Sequence, residues 1–277
     1  MKKIIVMFLI CLVVINSLSA GGNNDSKNAQ SGVAEPYTIE TGGSTSVSPL
    51  MELLAAEYLK VKPNIRININ GTGSGDGINN AGILYQIGMS SRELTPAEQG
   101  RGLKEEIIAI DGIAVIVHIT NAAGSLTIDQ IRDIFTGAVT DWSQVTGGAK
   151  QGLIAVVSRE EGSGTRSAFE ELAGFQDRLV RGANEFTSTG AIKAAIAGNP
   201  DAIGYISLGS MDNTIKGVSV DGIVPSNENV VNGSYKIARP FIVLTSNNAH
   251  AETKAFLEWI LTPAGQAVVG TSWIKVN

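Results

Sequence analysis

The residues best suited to chemistry lie in one short stretch, Arg159-Glu-Glu-Gly-Ser-Gly-Thr-Arg166. An apolar run at 153–157 precedes it, and an amphipathic run at 167–172 follows it. This order predicts a strand, a turn of small residues and then a helix that opens at Ser163 or Gly164. Such a helix start offers unpaired backbone N–H groups and the positive end of the helix dipole, and both stabilise an oxyanion.

The side chains of this stretch add to that chemistry. Arg159 would supply a guanidinium fork for two oxygens of an anion, and Ser163 and Thr165 would supply hydroxyl groups. Glu161 is the exception, because a carboxylate beside a bound anion should repel it. The stretch therefore predicts an oxyanion site, and the presence of Glu161 in it needs an explanation.

Three further turns have the same composition and also follow predicted strands. They lie at 43–48, 71–77 and 90–92, and each is rich in Ser, Thr or Gly. Turns after parallel strands meet at one edge of a sheet, which is where ligands bind in open α/β folds. One such turn is weak evidence, since Ser and Gly also make ordinary loops. Four of them together with Arg159 favour a compact anion held by hydroxyl and N–H groups.

The elements that would position these turns alternate between strands and helices, so we predict an α/β chain. The apolar run at 107–119 is longer than an ordinary strand, which suggests that it crosses from one lobe to another. The strand near 235–245 would cross back. We therefore predict two α/β lobes joined by crossover strands, with the ligand cleft between them. The first lobe would comprise 36–115 and 236–277, and the second 116–235.

The N-terminus has the composition of an export signal. Two lysines precede an apolar run at 4–15, and small residues follow it. We predict a signal peptide at 1–20 and a flexible leader at 21–35, with an uncleaved membrane anchor as the alternative. The single cysteine of the chain, Cys11, lies within the signal, so the mature chain would have no disulfide or thiol chemistry.

Composition and motif spacing exclude several other classes of function. The 277 residues carry a formal charge of −5 and no run of Lys or Arg, which argues against a nucleic-acid surface. Neither Ser74 nor Ser163 has the flanking glycines of a hydrolase elbow, and His118 and His250 are badly placed for a triad. No His, Asp or Glu spacing is typical of a metal site. We therefore predict no catalytic residue, no metal and no cofactor.

The order of the motifs resembles that of the periplasmic phosphate-binding proteins of ABC phosphate importers. The resemblance runs from Tyr37 onwards and rests on the four turns, on Asp141-Trp-Ser and on Thr262-Pro-Ala-Gly265. It implies the type 2 periplasmic-binding-protein fold, with two hinged lobes that close on the ligand. It also implies a location in the periplasm or on the outer face of the cytoplasmic membrane.

The same resemblance implies which residues bind phosphate: Ser44, Thr45, Ser46, Ser74, Ser91, Arg159, Glu161, Ser163, Gly164 and Thr165. Many members of the family carry an aspartate where this chain has Ser91. That aspartate accepts a proton from the ligand and so helps to exclude sulfate, whereas Ser91 can accept only as a neutral group. Glu161 would then either hold Arg159 rigid or accept the proton of hydrogen phosphate itself.

These inferences combine into one predicted function. The chain would be an exported, monomeric receptor that captures inorganic phosphate by lobe closure and delivers it to an ABC permease. A receptor for molybdate, tungstate or sulfate is the alternative within the same class. A phosphate-ester hydrolase or transferase is the alternative from a different class, and the lack of a metal cluster or of a nucleophile with a base argues against it.

Overall fold

The computed structural model describes residues 36–277. The predicted signal peptide and leader lie outside the described residues. Within the described range, no helix combines the length and the apolar content that are needed to cross a membrane.

The strands of the described part of the chain are, in order, β1 (Tyr37–Gly43), β2 (Ile65–Gly71), β3 (Ile87–Ser90), β4 (Lys104–His118), β5 (Ser125–Leu126), β6 (Ala155–Arg159), β7 (Asn184–Phe186), β8 (Ala202–Ser207), β9 (Ile215–Gly217), β10 (Ser219–Val220) and β11 (Ala238–Thr245). The helices are α1 (Ser48–Val61), α2 (Ser74–Asn80), α3 (Pro96–Gln99), α4 (Ile128–Thr136), α5 (Ser143–Thr146), α6 (Gly164–Leu172), α7 (Thr189–Gly198), α8 (Asn227–Val231), α9 (Ala251–Ile260) and α10 (Pro263–Val269).

Most strands join one sheet in the order β2-β1-β3-β11-β4-β8-β6-β7, and β9 pairs with β4 beside it. At one side β1 lies parallel to β2 and β3, and at the other side β6 lies parallel to β7 and β8. Between them, β11 and β4 run antiparallel to each other and to their neighbours. The two predicted crossover strands are therefore the middle of the sheet, and each parallel group directs its carboxyl ends and following turns to one edge.

Core residues divide along β4 and β11. Ile108 and Phe241 pack with residues of β1, β3 and α1, whereas Ile113 and Ile237 pack with residues of α4, α6 and β8. We call the elements around the first of these cores (β1–β3, α1, α2, α9 and α10) the first lobe. Those around the second (β6–β8, α4, α6 and α7) are the second lobe. The residue bounds predicted for the lobes stay a prediction, which this division of the core supports.

One element differs from its sequence prediction in a way that affects the site. The sequence predicts a turn throughout 71–77, but α2 begins within it at Ser74 and ends at Asn80. The predicted turn is too long because Gly73, at φ 97°, turns the chain out of β2 at once. Ser74 therefore lies at the start of a helix.

Gly77 shows how closely α2 packs against the sheet. A Cβ added there would lie 2.6 Å from the carbonyl oxygen of Met89 and 2.7 Å from that of Gly42. Because both contacts are with backbone, we expect Gly77→Ala to destabilise the fold by about 2 kcal/mol. Gly198→Ala at the end of α7 is the control, since no atom outside its own helix and chain neighbours lies within 4 Å of its Cβ position. Urea unfolding of both variants tests this, and equal stability would contradict it.

Candidate anion-binding site

The turn after β6 forms a helix start, as predicted. α6 begins at Gly164, and Ser163 is its N-cap, accepting a hydrogen bond from the N–H of Arg166 at 3.3 Å. The Ser163 hydroxyl thus stabilises the helix end. Among residues 36–277, no acceptor is found for the backbone N–H groups of Gly164 and Thr165. These two donors and the helix dipole make this end of α6 suited to an anion.

The first lobe contributes hydroxyl groups from the ends of β1, β2 and β3. Ser44 Oγ accepts from the N–H of Ser46 at 3.2 Å and donates to Ser91 Oγ at 2.8 Å. Ser74 Oγ, at the start of α2, accepts from the N–H of Ser91 at 3.1 Å. All four of these serines are buried. Backbone N–H groups therefore fix the positions of the Ser44 and Ser74 hydroxyls.

Hydroxyl groups of the two lobes meet directly. Ser46 Oγ lies 2.7 Å from Thr165 Oγ1 and 3.0 Å from Thr189 Oγ1. Thr45 Oγ1 accepts from the N–H of Thr189 at 3.2 Å. We call Ser44, Thr45, Ser46, Ser74, Ser91, Thr165 and Thr189 the hydroxyl cluster. Because the cluster joins the turns at 43–48, 71–77, 90–92 and 162–165, their predicted convergence is confirmed, and the start of α7 joins them at Thr189.

Arg159 supplies the charge at this cluster. Only 2% of its surface is exposed, and its Nη1 lies 3.5 Å from Thr189 Oγ1. Its Nε and Nη2 donate to the two carboxylate oxygens of Glu160 at 2.8 and 2.7 Å. Behind it, Tyr205 accepts from the N–H of Arg159, and burial raises the pKa of Tyr205 to about 12. Tyr205 is therefore a neutral phenol. Because Glu160 holds Nε and Nη2, the Nη1 edge of the guanidinium is the one directed at the cleft.

Glu161 does not occupy the position expected for it. Its side chain is exposed, and the carboxylate that pairs with Arg159 belongs to Glu160. Glu160 still pairs with β7 through its N–H and the carbonyl oxygen of Phe186, so its carboxylate lies alongside the guanidinium. Glu161 begins the turn and faces solvent. The predicted pairing of Glu161 with Arg159 is therefore wrong, and the structure gives no support to its alternative role as a proton acceptor.

Sequence reasoning missed Thr189, although a signal for it was present. The run Ser188-Thr-Gly190 opens a capped helix with the same residue types as the other turns. Thr189 is 5% exposed and contacts Thr45, Ser46 and Arg159. Its placement depends on the approach of α7 to the first lobe, which no local pattern shows.

Arg239 and Asp111 were also missed. Arg239 Nη1 donates to Thr165 Oγ1 and to the carbonyl oxygen of Ser91, both at 2.9 Å, and its Nη2 donates to Asp111 at 3.0 Å. Burial lowers the pKa of Arg239 and raises that of Asp111, and their mutual attraction opposes both shifts. The signal was Asp111 itself, a carboxylate inside an apolar run, because a buried charge requires a partner.

The assembled site is a set of donors for a small oxyanion. Arg159 and Arg239 are paired with Glu160 and Asp111, and the groups between them are hydroxyls and backbone N–H groups. Among the described residues, no three His, Asp or Glu side chains are placed to hold a metal ion. Which of the predicted residues contact the ligand stays a prediction.

Comparisons with known proteins agree with this geometry. The family described as a PBP superfamily domain matches residues 25–264. A crystal structure of a phosphate ABC transporter substrate-binding protein with bound phosphate, from Clostridium perfringens, has a TM-score of 0.84 and 43% identity. The alignment covers 87% of this chain and 100% of the Clostridium perfringens chain. An ABC-type phosphate transport receptor from Vibrio cholerae has a TM-score of 0.70 and 33% identity, over 85% of this chain and 99% of that one.

A curated relative, the phosphate-binding protein PstS of Borreliella burgdorferi, is 29% identical over 97% of this chain and 96% of its own length. The structural matches confirm the predicted two-lobed, type 2 periplasmic-binding-protein fold. The chain belongs to the PBP superfamily, in the family of substrate-binding proteins of phosphate ABC transporters.

Proposed function

We propose that this chain is a receptor that captures inorganic phosphate between its lobes and delivers it to an ABC permease. The observation that carries the proposal is the meeting of hydroxyl groups from both lobes beside Arg159 and the start of α6. Its similarity to phosphate receptors along nearly its whole length supports the same conclusion. The chain acts as a receptor and not as an enzyme.

The mechanism is closure of the lobes around the anion. The backbone N–H groups of Gly164 and Thr165, the Arg159 guanidinium and the hydroxyls of Ser46 and Thr165 donate to it. An anion that touches both lobes binds the closed form more tightly than the open form, so it shifts the population towards closure. Its charge is stabilised by fixed dipoles and one guanidinium edge, because the remaining Arg159 donors are held by Glu160.

The degree to which the site discriminates phosphate from sulfate depends on whether a free carboxylate faces the anion, and the hydroxyl cluster contains none. Within residues 36–277, the nearby carboxylates Glu160 and Asp111 are held by arginines, and Ser91 stands in the cluster as a neutral hydroxyl. A hydroxyl can accept the proton of hydrogen phosphate if it rotates, whereas sulfate has no proton to offer. We expect phosphate to bind more tightly than sulfate by about 100-fold or less, below the level of sites built around a charged acceptor.

Titration calorimetry against phosphate, arsenate, sulfate, molybdate and tungstate tests both statements. We expect phosphate and arsenate to bind with similar affinity and sulfate more weakly. Tighter binding of molybdate or tungstate would assign the receptor to that anion instead. The central proposal fails if phosphate gives neither heat nor a rise in melting temperature. Turnover of a phosphate ester by the purified chain would contradict a receptor role.

We also propose that the chain is exported, acts as a monomer and meets its permease at the membrane. Support comes from residues 1–20, where an apolar run after two lysines ends in small residues. The mass of the protein recovered from its own cells would distinguish cleavage near residue 20 from retention of an anchor. A cytoplasmic protein of full length would contradict export.

A further inference from the structure

The side chain of Arg239 lies where the two lobes and the crossover strands meet. It projects from β11 just before the point at which the register with β4 shifts, between Phe241 and Ile242. Such a bulge re-aims neighbouring side chains, and here the guanidinium lies 5.3 Å from the Phe241 ring centre. Arg239 is 4% exposed, and its Nη1 and Nη2 donate to protein groups, whereas its Nε has no hydrogen-bond partner among the described residues.

We propose that Arg239 is a positioning residue that favours the closed cleft and orients the Thr165 hydroxyl for the bound anion. This inference rests on the proposed phosphate-receptor function. Arg239 acts through Thr165, Ser91 and Asp111, without itself being assigned to the anion.

Arg239 Nη1 has one hydrogen-bond partner in each lobe. This nitrogen donates to the carbonyl oxygen of Ser91 in the first lobe and to Thr165 Oγ1 in the second, each at 2.9 Å. One nitrogen can keep both bonds only while α6 and the turn after β3 remain close together. Opening of the cleft must break at least one of them, and a buried guanidinium that loses a partner is costly.

Arg239 also decides the direction in which the Thr165 hydroxyl donates. A guanidinium N–H can only donate, so Thr165 Oγ1 accepts from Arg239. The Thr165 proton is then free to point to the other side, where Ser46 Oγ lies at 2.7 Å in the hydroxyl cluster. Arg239 therefore turns Thr165 into a donor that faces the cleft, which is the polarity that an oxyanion requires.

Asp111 holds Arg239 in place. Asp111 Oδ2 accepts from Arg239 Nη2, and Asp111 Oδ1 accepts from Ser207 Oγ at 2.8 Å and from the N–H of Gly209 at 3.4 Å. The carboxylate is thus fixed to β4 and to the end of β8. It balances the charge of Arg239 through Nη2, while Nη1 donates to Thr165.

The test uses paired neutral replacements in the full chain. Arg239→Gln with Asp111→Asn removes both charges; Asn keeps the size of Asp, and Gln keeps a shorter neutral amide. Arg92→Gln with Glu98→Gln is the matched control, because that pair lies within residues 92–98 and does not join the lobes. Arg92 lowers the pKa of Glu98 to about 2, so the control pair is also ionised at pH 7.

Phosphate affinity is measured by calorimetry, and closure by the radius of gyration from X-ray scattering, with and without phosphate.

We expect the Arg239/Asp111 variant to bind phosphate about tenfold more weakly, as the loss of one charged hydrogen bond predicts. It should also have a larger radius of gyration than the wild type in the absence of phosphate. The control should match the wild type in both measurements. If Arg239 has a purely structural role, the Arg239/Asp111 variant will have a lower melting temperature but the phosphate affinity and closure of the wild type. That result would overturn the proposal.

A second variant covers the case in which the paired replacement does not fold. Arg239→Lys keeps a cation beside Asp111 but lacks the fork that reaches Ser91 and Thr165 together. It should show the same loss of affinity and closure, and wild-type values would again overturn the proposal. If wild-type protein binds no phosphate, the proposed function fails. The ligand-free radius of gyration then still decides the role of Arg239.

Discussion

Replacing Arg159 with glutamine is expected to weaken phosphate binding by about 100-fold or more. Arg159 is buried at the end of β6, and its Nη1 edge faces the hydroxyl cluster at Thr189. A desolvated dianion without this guanidinium loses a charged partner, which costs about 3 kcal/mol or more. That loss corresponds to at least about two powers of ten in the dissociation constant. Calorimetric titration with phosphate at fixed ionic strength measures it.

Glu161→Gln is the control for this experiment. Glu161 lies two residues after Arg159, is exposed and does not contact the guanidinium. Its replacement should leave phosphate affinity within about twofold of the wild type, because a solvated surface charge contributes little. Loss of affinity in Glu161→Gln, with an unchanged Arg159→Gln, would show that the charges at the cleft have been assigned to the wrong residues.

The parts of the site that sequence could predict are those decided by local chemistry. Ser163 followed by Gly164 specifies the start of α6, because a serine N-cap and a small first residue suit that position in any fold. β4 could be recognised as a crossover because its apolar run is longer than one lobe requires. In both cases the signal lies within a few consecutive residues.

The assignment of Glu161 failed because two adjacent carboxylates cannot be separated by pattern. Which of them meets Arg159 depends on where β6 stops pairing with β7. That pairing extends through the Glu160 N–H, and Gly162 then turns the chain at φ 81°. Successive side chains of a strand point to opposite faces, so a strand that ends one residue later presents a different carboxylate to Arg159. A sequence in which both positions are Glu carries no information on that choice.

Arg239 and Thr189 were missed for a different reason. Each becomes part of the site through contacts with residues more than 70 positions away, at Thr165 and Thr45. The sequence shows that Asp111 needs a partner, but it does not indicate which arginine provides it. The long-range part of this site therefore follows from sheet topology, which places β11 beside β4.

Gly164 is the residue on which closure of the lobes most directly depends. It is the first residue of α6 and lies against the first lobe, at Ser74 and Ser91. A Cβ added to Gly164 would overlap Ser74 Oγ and would lie 2.9 Å from Ser91 Oγ. Nearby, the N–H of Gly75 donates to the carbonyl oxygen of Gly162 at 2.9 Å, so the two backbones have little room to shift. A methyl group at this position would hold the lobes apart.

We therefore expect Gly164→Ala to weaken phosphate binding by about 100-fold, since overpacking of this kind costs up to about 3 kcal/mol. The variant should fold normally, because alanine is well tolerated in the first turn of a helix and each lobe keeps its own core. Gly190→Ala is the matched control at the start of α7, where no atom outside its own helix and chain neighbours lies within 4 Å of the added Cβ. Calorimetry gives the affinities, and X-ray scattering with saturating phosphate should show a more open Gly164→Ala protein. If Gly164→Ala closes and binds like the wild type and like Gly190→Ala, the contact of α6 with Ser74 and Ser91 does not limit closure.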